Sequence, residues 1–158
     1  MAGTAAARVS ETEQEDRLIL AEFLPYRLSI VAERVSRAFA ARYEAEFGLT
    51  IPEWRVMAVL GERAPRSTQE VIETTEMDRV KVSRAVIRLA DKGLLARTAL
   101  RGDARAQQLR HTARGAAMYR RIVPLAHRLH GELVCRLAPE EIAVLESILT
   151  KLRTASGG

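Results

Sequence analysis

Residues 77–115 read MDRVKVSRAVIRLADKGLLARTALRGDARAQQLRHTARG. Asp78 is suited to start a helix, because its carboxylate can accept the unpaired amides of a first turn. Beyond it Val82, Val86 and Leu89 recur at steps of four and three, so they share one helical face. Val80, Arg84 and Arg88 fall roughly opposite, with Arg79, Lys81 and Ser83 on the flanks. Lys92-Gly93 closes the helix, since glycine tolerates the left-handed backbone of a helix end. Residues 94–98 and 106–110 then read as two short strands around a basic tip, Arg101-Gly102-Asp103-Ala104-Arg105. Their alternation is weak, so the strand assignment rests on their place between helix and tip. Thr112 is placed to cap a following helix.

Upstream lie two further helix starts. Thr50-Ile51-Pro52-Glu53 and Ser67-Thr68-Gln69-Glu70 are both capping boxes, in which hydroxyl and carboxylate satisfy each other's backbone amides. The first opens a helix carrying Trp54, Val56, Met57, Val59 and Leu60 and ending near Gly61. The second opens a short helix with Val71 and Ile72 inside. Thr74-Thr75-Glu76 forms a turn before Asp78. Three short helices, tight turns, then a strand pair with a charged tip make a winged helix-turn-helix. The fold class expected is mainly α with a small β-wing, plus helices outside that lobe.

The chain has 158 residues and a net charge of +5. Between Arg79 and Arg110 stand nine Lys/Arg against two acids, a local +7 that leaves the remainder at −2. So local an excess points to a polyanion bound at one place. No run of apolar residues is long enough to span a membrane, and the start (MAGTAAARVSETEQED) lacks the apolar core of a signal peptide. A cytoplasmic protein with no membrane partner is expected. The single cysteine, Cys135, excludes an intrachain disulfide.

Long helices flank the lobe. Pro25 suits a first turn, and Leu28, Val31, Val35, Ala38, Phe39 and Phe47 keep mostly helical steps up to Gly48. Leu18, Ile19, Leu20, Phe23 and Leu24 are too apolar for a free tail and are expected to pack on another element. Ile122, Ala126, Leu129, Leu133 and Leu137 mark one late helix, with Pro124 inside it. Ile142, Leu145, Leu149 and Leu152 mark another, entered by Pro139-Glu140-Glu141. The organisation expected is a disordered arm over 1–15, helical dimerisation regions at 16–48 and 113–153, the DNA-binding lobe at 49–112, and a disordered tail at 154–158. The flanking helices carry more apolar residues than one small lobe can bury, which burial against a second copy would explain.

These features together resemble the MarR family of bacterial transcription regulators. The resemblance rests on Trp54 and Leu60, on Val82-Ser83-Arg84 and Leu89, on Lys92-Gly93-Leu94 and Arg97, on the Asp103-x-Arg105 pair, on Thr112-x-x-Gly115, and on Leu137-x-Pro139-Glu140-Glu141. It departs at His111, where the family usually carries leucine, and at Ala138, where Ser or Thr is usual and whose inability to cap predicts a frayed last helix. The family implies a homodimer that puts a recognition helix in the major groove and a wing near the minor groove. It also implies a small-molecule effector held between the dimer helices and the DNA-binding lobe. Tyr26, Arg27, Ser29, Ile30, Trp54, Arg55 and Met57 would line that site. A ring beside an arginine would suit an aromatic carboxylate or a related acyl thioester.

On the helix from Asp78, the N-terminal residues Arg79, Lys81, Ser83 and Arg84 are expected to read base edges of a pseudo-palindromic operator. Arg88 and Ser67 are expected at phosphates, Ser67 because it sits at a helix start, and Arg101 of the basic tip is expected among the DNA-binding residues. Arg105 is expected to enter the minor groove, whose potential is most negative where it is narrow. No enzyme constellation, cofactor or metal is expected. His127 and His130 stand three apart with Cys135 beyond, but no further ligands have metal spacing, and Cys135 is expected buried or at an interface. The alternative function is a helical interaction module that binds protein or RNA without regulating a promoter.

Overall fold

The computed structural model describes residues 17–100 and 103–156. They divide into two units, one ending at Arg42 and the other starting at Tyr43. The expected arm over 1–15 lies outside the described residues.

In the first unit a turn over 19–23 leads into α1 (Leu24–Phe47), which runs on into the second unit. Leu18, Ile19, Leu20, Phe23, Leu24, Leu28 and Val31 are all exposed, and Glu33 pairs with Arg37 at 3.0 Å.

The second unit is the lobe and the late helices. In order they are α2 (Ile51–Glu62), β1 (Arg66–Ser67), α3 (Thr68–Thr75), α4 (Arg79–Asp91), β2 (Leu95–Leu100), β3 (Asp103–His111), α5 (Ala113–Val134) and α6 (Pro139–Ser156). The strands form an antiparallel sheet in the order β1-β3-β2. Leu95 pairs with His111 and Thr98 with Gln108, and the register slips between Ala99 and Leu100. The strands reach further than the sequence suggests, so most of the expected basic loop is strand. β1 was not expected at all. Two residues carry no pattern of their own, and this strand exists only because Arg66 and Ser67 find Leu109 and Gln108 across the sheet.

Side chains from every layer of the lobe meet in one core: Val56, Met57 and Leu60 of α2, Val71 of α3, Val82, Ala85, Val86 and Leu89 of α4, and Leu94, Leu95 and Leu109 beside the sheet. Each such aliphatic side chain contributes about 1.5–3 kcal/mol when removed from water. The expected inner face of α4 is therefore the inner face observed. Gly93 has φ +68 and ends α4. Its amide reaches Ala90 O and that of Leu94 reaches Leu89 O, at 2.8 and 2.9 Å. This paired closure satisfies the last carbonyls and turns the chain into β2.

The late helices differ from expectation at their ends. α6 continues to Ser156, so residues 154–156 of the expected disordered tail are helical. Thr154 and Ser156 hydroxyls donate back to Thr150 and Leu152 carbonyls, which satisfies polar groups of the final turns. Its start is not frayed either. The Ala138 amide donates to Glu141 Oε2 at 2.8 Å, so the carboxylate half of a capping box acts without the hydroxyl half. None of α6 is buried, and Val144, Leu145, Ile148 and Leu149 are exposed. Among the described residues no helix is long and apolar enough to cross a membrane.

Candidate nucleic-acid interface

The outward face of α4 is built by its own first turn. Asp78 caps it, accepting the Lys81 amide at 2.8 Å, and the Lys81 ammonium returns to the same carboxylate at 3.0 Å. That amide, and then the ammonium, hold the Asp78 carboxyl below its usual range. Arg79 Nη2 donates to Gln69 Oε1 of α3 at 3.2 Å, which ties the two helices of the turn together. Ser83 and Arg84 are exposed and make no hydrogen bond or ion pair among the described residues. Val80 stands among them, 56% exposed. The four expected base readers thus share the solvent side of one helix. Two of them are steadied by neighbours and two are open.

Ser67 is occupied. Its Oγ accepts the Glu70 amide at 3.1 Å and its own amide donates to Glu70 Oε2 at 2.7 Å. The anion that this helix start attracts is Glu70 itself. Its carboxyl lies below its usual range because of the Ser67 amide first and the Ser67 hydroxyl next.

Arg88 also has a partner that sequence reasoning missed. Glu53 of α2 is fully buried, and its four contacts use both carboxylate oxygens. Oε2 accepts the Thr50 amide at 2.8 Å and the Thr50 hydroxyl at 2.9 Å. Oε1 accepts Arg88 Nε at 3.2 Å and Lys92 Nζ at 3.1 Å. Lys92 Nζ donates as well to the carbonyl of Gly48, just beyond α1, at 2.9 Å. Burial pushes the Glu53 carboxyl up. The Thr50 amide, Lys92 and the Thr50 hydroxyl together outweigh that and hold it below its usual value. The local signal for a capping box was legible in Thr50 and Glu53. That the same carboxylate receives two cations from 35 and 39 residues away was not. The cue that existed is the spacing of Arg88 and Lys92, one turn apart and so able to converge on one anion.

At the root of the wing, His111 is half-buried. Its Nε2 lies 3.1 Å from the Met57 carbonyl, which can only accept, so that nitrogen carries the proton. The ring tilts against Tyr119 of α5 at 5.4 Å between centroids. Tyr119 in turn covers Gly61, where any Cβ would overlap its ring. His111 thereby links β3 to α2 and α5. Burial pulls the His111 pKa down, and the Met57 hydrogen bond only partly opposes that. A depressed value means the unfolded chain takes up the proton first. His111 therefore contributes stability fully above about pH 6.5, and that part fades as pH falls through the folded value. His111→Leu is expected to flatten this stretch of the stability profile. Urea midpoints at pH 7.5 and 5.5 check it, and an unchanged difference between them would refute it.

Arg101 lies outside the described residues, as does the side chain of Arg105. Of the residues expected to line an effector site, Tyr26, Arg27, Ser29 and Ile30 lie in the first turns of α1 in the first unit, where the Ser29 hydroxyl donates to the Tyr26 carbonyl at 2.8 Å. Trp54, Arg55 and Met57 lie on α2 in the second. Met57 is fully buried core. Trp54 stacks on buried Tyr43 at 4.9 Å, and the Arg55 guanidinium stands 6.0 Å from its ring centroid. Among the described residues, the Trp54 Nε1 is a buried donor without a hydrogen-bond partner. Cys135 is exposed in the single chain, its thiol donating to the Glu132 carbonyl at 3.2 Å. Among the described residues no group of three or more His, Cys, Asp or Glu is placed to hold a metal ion.

A helix presenting basic and polar side chains outward, a helix packed across its start and an antiparallel wing define a winged helix-turn-helix protein. The model of the MarR family matches residues 47–106, which span the lobe from the end of α1 into β3. The fold is similar to that of a MarR/EmrR family transcriptional regulator from Acinetobacter sp. ADP1, with 22% identity, 89% of this chain and 99% of that one covered, and a TM-score of 0.81. A MarR family transcriptional regulator from Silicibacter pomeroyi DSS is 26% identical over 88% of this chain and 93% of its own, with a TM-score of 0.72. The PcaV transcriptional regulator from Streptomyces coelicolor, solved in complex with its natural ligand, is 24% identical over 89% and 98%, with a TM-score of 0.74. Residues 47–106 match the MarR family model, and over most of its length the chain has the fold of MarR family transcriptional regulators.

Proposed function

We propose that this chain acts in the cytoplasm as a homodimeric repressor. It would place α4 of each subunit in the major groove of a pseudo-palindromic operator and be released by a small acidic effector. The observation that carries the reading is the division of α4. Val82, Ala85, Val86 and Leu89 are buried, while Arg79, Lys81, Ser83 and Arg84 all face solvent. Arg suits guanine O6 and N7, and exposed Val80 among them suits a thymine methyl. Arg101 and Arg105 would serve the wing, Arg105 in the minor groove. Dimerisation is supported by the exposed apolar residues of α6 and of the first unit, which a lone chain leaves in water.

The effector reading is supported by the buried Trp54 donor, which an acceptor such as a carboxylate would satisfy, and by the similar PcaV with its natural ligand. An aromatic carboxylate or an acyl thioester offers that acceptor. Arg55, whose guanidinium stands beside the Trp54 ring, is the candidate to pair with it, and Arg55→Ala is the test. Trp54 is the sole tryptophan, so its fluorescence reports binding directly. Titration with a panel of hydroxybenzoates and acyl thioesters should change it, and a ligand that binds the free protein better than its DNA complex weakens operator binding by the same factor.

The deciding experiment is a footprint on the DNA upstream of the gene, which should protect a pseudo-palindrome with half-sites about one helical turn apart. Arg105→Ala should weaken that binding at least about tenfold at moderate salt, and log affinity should fall with log salt at about −0.9 per phosphate neutralised. Equal affinity of the variant would remove Arg105 from the interface, and a flat salt dependence would remove DNA.

A further inference from the structure

We propose that Glu53 is a positioning residue that sets DNA specificity. It holds Arg88 and Lys92 away from the phosphates and uses them to fix the recognition helix. The inference rests on the reading of α4 as the DNA-contacting helix. Arg88 sits in the last turn of α4 and Lys92 is its C-cap, so both lie on the half of the helix away from the base readers. Their side chains are 49% and 40% exposed, long enough and open enough to reach DNA. Both bend inward instead, onto one oxygen of a carboxylate that is itself 0% exposed. Lys92 adds the Gly48 carbonyl, and Glu53 adds the Thr50 amide and hydroxyl.

One buried anion thereby joins three points: the end of α1, the first turn of α2 and the end of α4. Base reading requires side chains held within a fraction of an ångström and about 10–20° of their productive positions. A pin at the far end of α4 governs the angle at which its near end meets the bases. The same anion offsets one of the two cations. Phosphate contacts raise affinity for all sequences alike, whereas base contacts distinguish them. Releasing Arg88 and Lys92 would strengthen the first kind of binding while loosening the second.

The test compares Glu53→Gln with wild type on two duplexes, one selected by the wild-type protein from a randomised library and one scrambled. Glutamine keeps the shape and an oxygen for Thr50 but frees the two cations. The ratio of selected to scrambled affinity should fall about tenfold, within the range of one mismatched base pair. Affinity for the scrambled duplex should hold or rise, with a steeper salt slope. A merely structural role would lower both affinities together and leave the ratio alone, and that result overturns the proposal.

Arg88→Gln keeps Lys92 on Glu53 and guards against a Glu53 variant that does not fold. Its salt slope on scrambled DNA should match wild type. A slope shallower by about 0.9 per subunit would make Arg88 a phosphate ligand and overturn the proposal. Wild-type protein that cannot distinguish the two duplexes would refute the DNA reading and this inference with it. Wild-type discrimination that survives unchanged in Glu53→Gln refutes this inference alone.

Discussion

Gly115→Ala is expected to destabilise the lobe by about 3 kcal/mol, the upper end of overpacking costs. Gly115 lies in the first turn of α5 and is buried. A methyl group there would overlap the carbonyl oxygen of Leu94 and stand 2.9 Å from its carbonyl carbon. These are backbone atoms, and they cannot swing aside as a side chain can. Nor is the carbonyl free to turn, because it accepts the Thr112 amide at 3.1 Å. Thr112 meanwhile takes the Gly115 amide at 3.0 Å and donates its hydroxyl to the Gly93 carbonyl at 2.7 Å. The end of α4, both wing strands and the start of α5 are joined within these few residues. Separating them to admit one carbon would break several of these bonds at once.

Gly131→Ala in the same helix is the control. Nothing lies within 4 Å of the added carbon, so it should gain about 0.5–1 kcal/mol from helix propensity. Urea unfolding followed by far-ultraviolet circular dichroism distinguishes the two. Equal midpoints for Gly115→Ala and wild type would show that the close approach is not a constraint.

Arg84→Ala carries the largest expected effect on DNA. Of the four residues proposed to read bases, Arg79 is tied to Gln69 and Lys81 to Asp78. Arg84 has no such partner among the described residues and projects from the centre of the outer face. Losing a bidentate arginine should cost about 1–3 kcal/mol, which is roughly five- to 150-fold in affinity, and should relax preference at one base pair of each half-site. Uniform weakening on every sequence would instead make Arg84 a phosphate contact. The measurement is an anisotropy titration against the operator and against single-position variants of it. No loss on any duplex would move the reading helix elsewhere.

Much of this protein is readable from local pattern. Asp78, Ser67 and Thr50 each begin a helix because capping is a matter of a few adjacent residues, and Gly93 ends one for the same reason. The four- and three-residue steps of Val82, Val86 and Leu89 determine which face of α4 is inward, and therefore which basic side chains are outward. The concentration of charge near the wing needed no coordinates.

What the tertiary structure decided are the pairings between distant segments. β1 forms only against β3. His111, out of place as a substitute for leucine, gains a purpose from a carbonyl on α2 and a ring on α5. Ser67 proves occupied by Glu70. Glu53 reads as a cap residue locally, yet it is the buried anion on which Arg88 and Lys92 converge. Local sequence cannot specify such contacts, because a side chain's charge is visible in the chain while its distance to a partner depends on how the helices cross.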